Sequence, residues 1–142
     1  MSIAQDLLHQ IAIAALTAVQ ERVDKSQVNK LLEVLNAYDV ETLVVFMSRQ
    51  VAREEFGKCV AQHLVSIIET IVTEAKKRNL NTKDEVRRAL GYFKWLYETF
   101  RELKSRTLSE VSRKYQGVLS CRESLANVKP EAYLELLKAA LS

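Results

Sequence analysis

Apolar residues recur along this chain at steps of three and four, the spacing that places them on one face of an α-helix. Ile3, Leu7, Ile11, Ala14 and Ala18 begin the pattern behind Ser2 and Gln5 in capping-box spacing, predicting an amphipathic helix to about Arg22. Val28, Leu31, Leu32 and Leu35 form the stripe of a short second helix that Ser26 can cap and that ends near Asn36. Asp39 stands where it can cap a third, from Val40 to about Glu55, with Leu43, Val44, Phe46, Met47 and Val51 on a wide apolar face. Gly57 marks a break, after which Val60, Leu64, Ile67, Ile68, Ile71, Val72 and Ala75 carry a strong helix to Asn79.

The capping-box spacing returns twice, at Thr82 with Glu85 and at Thr107 with Glu110, each at the head of a further helix. The first, reaching about Lys104, puts Val86, Leu90, Phe93, Tyr97 and Phe100 on one face; the second carries Leu108, Val111, Tyr115, Val118, Leu119 and Leu125. Pro130 suits the first position of a last helix with Tyr133, Leu136, Leu137, Ala140 and Leu141.

Composition narrows the architecture. Three Gly and one Pro in 142 residues are too few turn formers for a sandwich or barrel. The expectation is an all-α fold, a compact helical bundle of five to seven helices with short loops, with residues 1–142 as one domain. The longest uninterrupted apolar stretch, Ile11 to Leu16, falls far short of the roughly 18 residues that cross a bilayer. The N-terminus lacks the basic start of a presequence, so a soluble, cytoplasmic chain without membrane contact is expected. In that compartment Cys59 and Cys121, the only cysteines, read as reduced, buried, small hydrophobes.

Charge is distributed unevenly. The net +3 divides into −4 over residues 1–75, +8 over residues 76–122 and −1 over residues 123–142. Such segregation makes a local field that attracts a polyanion. At 100° per residue, Lys83, Arg87, Lys94 and Arg101 fall on one narrow stripe beside the apolar face of their helix, with Glu98 among them. Arg88 and Lys104 belong to the same basic helix, and Arg49 and Arg53 stand one turn apart near the end of the third. These eight are the candidate nucleic-acid-binding residues; the alternative is a solvated surface whose cations pair locally. Trp95 lies away from the Leu90, Phe93, Tyr97 and Phe100 face, near Arg88 and Tyr92. It can be buried against another helix, can anchor a protein partner, or can stack a base, and Tyr92 shares those options.

No catalytic constellation is apparent. Cys59 and His63 have the i, i+4 spacing of two metal ligands, but a tetrahedral site needs three or four, and only Cys121 and His9 remain to complete one. There is no Gly-rich phosphate loop, no Glu-x-x-His pair, and the adjacent Glu54 and Glu55 point different ways on a helix. The chain is therefore expected to be no enzyme and to use neither cofactor nor metal.

Two stretches, Glu41-Thr-Leu-Val-Val-Phe-Met-Ser-Arg-Gln-Val-Ala-Arg53 and Val86-Arg-Arg-Ala-Leu-Gly-Tyr-Phe-Lys-Trp-Leu-Tyr-Glu-Thr-Phe-Arg101, together with size and helical content, give a chain that resembles the small all-helical subunits of type III CRISPR effector complexes. The resemblance implies a non-catalytic part in antiviral defence: a subunit of a ribonucleoprotein that stacks beside the guide-binding backbone and touches RNA through Lys and Arg. Its scattered basic contacts correspond here to Arg49, Arg53, Arg87, Lys94 and Arg101. The partners it implies are RNA, as single strand or guide–target duplex, and other effector-complex subunits; self-association is a further possibility. The competing reading is a helical protein–protein adaptor or scaffold that binds no nucleic acid.

Overall fold

A helix that is apolar all round must sit inside a bundle, and the run Ile11–Ala18 is such a helix. The computed structural model describes residues 2–142. In it all eight residues of that run are buried, and the one polar member, Thr17, donates its hydroxyl to the Ile13 carbonyl at 2.7 Å. Around this central helix, α2 (Leu8–Gln20), are ranged α1 (Ile3–Asp6), α3 (Lys25–Ala37), α4 (Val40–Ala52), α5 (Lys58–Arg78), α6 (Thr82–Arg101), α7 (Ser105–Lys114), α8 (Gln116–Leu119) and α9 (Ala132–Leu141), with a 3-10 turn at Leu125–Asn127. The closest partner of α2 is α6, followed by α5 and α9. Its many alanines let the larger residues of α6 approach, among them the fully buried Phe93, Tyr97 and Phe100.

The described residues form nine α-helices, slightly more than the five to seven expected; seven have ten residues or more and two are single turns. Both arise where a longer helix breaks. Leu7 leaves helical geometry (φ −108°, ψ 13°), separating α1 from α2, and Tyr115 does the same (φ −113°, ψ 20°) between α7 and α8. Among the described residues, no helix is long and apolar enough to cross a membrane.

Short polar side chains set several boundaries. Ser2 accepts the Gln5 amide at 3.3 Å and Asp39 the Thr42 amide at 2.8 Å, as their positions in the sequence suggest. Asn79 ends α5 in the left-handed conformation (φ 55°). Elsewhere the caps differ. Asn81, not Thr82, caps α6 by accepting the Asp84 amide at 2.9 Å. Asp24, not Ser26, is the cap residue of α3, and α7 starts two residues before Thr107. Glu85 reaches away from its own helix and accepts the Ile3 amide of α1 at 2.8 Å, while buried to 2% exposure and paired with Arg88.

One correction concerns the cysteines. Cys59 at the head of α5 and Cys121 after α8 form a disulfide, with Cα atoms 5.7 Å apart across 62 residues. They are not free thiols, so they lend no support to a reducing compartment. Their partnership is made by the fold: Cys121 occupies a left-handed turn (φ 61°) that brings the chain after α8 back onto α5.

Candidate nucleic-acid interface

The basic residues of α6 line a band between its buried face and its solvent-facing ridge. Lys83, Arg87, Lys94 and Glu98 are half-buried along this band and Arg101 is exposed at its end. The upper half is engaged within the molecule. Lys83 donates to the Tyr38 carbonyl, and Arg87 donates to Asn36 Oδ1 at 2.8 Å and pairs with Asp84 at 2.7 Å. These two cations fasten the start of α6 to the corner between α3 and α4. Arg88, on the exposed ridge, is committed to Glu85.

The lower half is different. Among the described residues, Lys94, Arg101 and Lys104 have no carboxylate at ion-pair distance, and neither do Arg49 and Arg53. The Arg101 guanidinium lies over the Tyr97 ring, 5.6 Å from its centre. The Tyr97 hydroxyl in turn donates to the Val23 carbonyl, tying the end of α6 to the turn that follows α2. Arg49 and Arg53 are exposed at the far end of α4, roughly 20 Å along the helix axis from the Tyr38 corner that Lys83 grips.

That turn after α2 contributes a residue the sequence pattern did not single out. Arg22, in the left-handed conformation (φ 58°), and Arg113 of α7 line an open cleft of about 480 Å³ with Gln20, Ser109, Ser112 and Gln116. No carboxylate lines it. Arg22 stands in sequence between Glu21 and Asp24, which masks it in any local charge count. Glu21 is turned elsewhere, accepting the backbone amides of Cys59 at 3.3 Å and Val60 at 2.8 Å to cap α5. The signal that finds Arg22 is tertiary: which side of the turn each charge leaves by.

Trp95 is 70% exposed, which removes burial within this chain from its three options. Tyr92 meets it edge-on, with ring centres 6.4 Å apart, so the two form a small aromatic ridge beside Arg88.

The other concentration of reactive side chains lies at the head of α5. His63, buried one turn below Cys59, directs Nε2 at the Val118 carbonyl oxygen at 2.8 Å, and at the sulfurs of Cys59 and Cys121 at 3.5 and 3.7 Å. A carbonyl oxygen only accepts, so Nε2 carries the proton. Burial pushes the imidazole pKa below its ordinary value, with partial opposition from the Val118 hydrogen bond and the Glu21 charge. Cys121 is thus the third potential ligand beside Cys59 and His63, and the three ligand atoms lie within 4.8 Å of one another.

No protein-family model, curated protein or solved structure matches this chain.

Proposed function

We propose that the chain is a non-catalytic small subunit of an RNA-guided effector complex, contacting the backbone of target or guide RNA and assembling with other subunits. The observation that carries this reading is that Lys94 and Arg101 of α6 and Lys104 at the head of α7 have no carboxylate at ion-pair distance among the described residues, and that Arg22 and Arg113 line a cleft without a carboxylate. Lys94 and Arg101 are two turns apart, roughly 10 Å along the helix. Cations so placed can each meet a phosphate of a strand laid along α6, releasing condensed counterions and reading no sequence. Trp95 and Tyr92 offer an aromatic face one arc away on which a base can stack. The assembly role follows from the resemblance to type III small subunits.

The test is single-stranded RNA binding by anisotropy over a range of salt, with Lys94, Arg101 and Lys104 changed together to Ala. Three lost phosphate contacts reduce the salt slope by about 2, at roughly 0.7 per single-strand phosphate. Changing Arg87 and Arg88, which are already paired within the helix, leaves the slope nearly unaltered. Equal slopes for the wild type and the triple variant refute the reading.

The second reading, a helical adaptor that binds no nucleic acid, is favoured by the exposure of Trp95. Tryptophan and tyrosine often dominate the energy of protein interfaces. If native co-purification recovers a protein partner that Trp95→Ala loses, with no nuclease-sensitive material in the complex, the adaptor is the function.

A further inference from the structure

The disulfide, its neighbouring histidine and the turn that brings them together form an arrangement that a structural crosslink alone does not require. Cys59 and His63 project from one face of α5, one turn apart, and Cys121 is delivered from the left-handed turn after α8. The hydrogen bond to Val118 orients the His63 ring, and in that orientation Nε2 also stands beside both sulfurs. For a tetrahedral zinc with Zn–S of about 2.3 Å and Zn–N of about 2.0 Å, a sulfur and a nitrogen ligand stand about 3.5 Å apart, and two sulfurs about 3.8 Å. The two observed sulfur-to-nitrogen separations, 3.5 and 3.7 Å, are those of such a tetrahedron. Only the two sulfurs need to separate, and Cys121, half-exposed between the exposed Ser120 and Arg122, is the one with room to move.

We propose that Cys59, His63 and Cys121 are a redox-gated site for a thiophilic divalent metal, zinc in the first instance: closed as a disulfide under oxidising conditions, open to metal once reduced. A dithiol reductant opens it. Its two thiols transfer two electrons and two protons to the bridge, leaving Cys59 and Cys121 as thiols and the reductant as its own disulfide. Zinc then displaces the two thiol protons to solvent. The His63 proton moves from Nε2 to Nδ1, surrendering the hydrogen bond to Val118, and the freed Nε2 lone pair becomes the third ligand. A tetrahedral ion held by these three ligands would leave its fourth position for water. The bond from α5 to the C-terminal segment is thereby exchanged for a metal bridge between the same elements. The fold keeps its tether in either redox state.

Cobalt reports the ligand set directly. The full chain, reduced with a phosphine that brings no thiol of its own, is titrated with Co2+ and the ligand-field and thiolate charge-transfer absorption recorded; Zn2+ is then added. Reduced wild type takes one Co2+ per chain with tetrahedral bands that Zn2+ abolishes, and the oxidised protein shows none. His63→Gln keeps an amide donor for Val118 and lowers affinity by at least about tenfold. Cys121→Ser halves the charge-transfer intensity. Should Cys121→Ser fail to give the helical circular dichroism of the wild type, alkylation of the reduced wild-type thiols replaces it, and Zn2+ slows modification of both. Reduced protein without tetrahedral bands, equal binding by the oxidised form, affinity undiminished in His63→Gln, or alkylation indifferent to Zn2+ each overturns the proposal.

Discussion

Asp39 shows how much one side chain decides. It is the N-cap of α4, in extended geometry directly after Tyr38 closes α3, and its carboxylate accepts the Thr42 amide at 2.8 Å. Hydrogen bonding from the Thr42 side chain and then its amide holds the carboxyl below its ordinary pKa, with a smaller contribution from the Lys83 charge. A folded-state pKa lower than the unfolded one makes the cap's contribution complete above the unfolded value near 3.8 and lost as pH falls through the lower folded value. Asp39→Ala is therefore expected to lower the urea midpoint at neutral pH, and the gap to wild type to narrow as the solution is acidified below pH about 4. Asp39→Asn, which still caps but cannot titrate, should keep most of the neutral-pH midpoint. A gap that stays constant from pH 7 to pH 3 removes the ionised carboxylate from the explanation. This residue was legible in the sequence because a cap is local: its partner is three residues away.

At the scale of elements, the informative case is Glu85. Three residues after Thr82 it looks like half of a capping box, and the box is not formed; Asn81 caps α6 and leaves Glu85 free to hold α1. The single turn Ile3–Asp6 is too short to be stable alone, so its place depends on packing Ile3 and Ala4 and on the acceptor that Glu85 supplies. Glu85→Ala leaves the buried Ile3 amide unpaired, which costs about 1–3 kcal/mol in urea unfolding and speeds amide exchange in α1. Glu85→Gln retains an oxygen acceptor and costs less. If the two variants are equally destabilised, the hydrogen bond to Ile3 is not what docks α1. The caps of the other helices show the same limit: Ser2 and Asp39 were readable, Asn81 and Asp24 lie within two residues of the position expected, and the distant Glu21 that caps α5 left no local trace.

For the whole molecule, the disulfide is the widest constraint, closing a loop of 62 residues that contains most of α5, all of α6 and all of α7. Its removal enlarges the unfolded ensemble, and a loop of this length corresponds to about 4 kcal/mol in the chain-entropy account. Urea unfolding with a phosphine reductant and a chelator present should show a loss approaching that size, and addition of Zn2+ in place of the chelator should restore part of it. A reduced protein as stable as the oxidised one shows that the unfolded chain gains nothing from release. Charge behaves as a whole-molecule property too. Six of the thirteen cations in residues 76–122 are paired, mostly within their own helix, which leaves Lys76, Lys83, Lys94, Arg101, Lys104, Arg113 and Arg122 without a carboxylate partner among the described residues.

The sequence alone determined the class of fold, the long helices, the face of α6 that turns inward and the placing of Trp95 off that face, because helical period and burial are carried by residues three and four apart. Which charges remain free, which glutamate caps which helix, and that Cys59 meets Cys121 beside His63 were decided only when the bundle closed. Each of those depends on groups from different helices arriving at one point, and no local pattern records where a helix 60 residues away will lie.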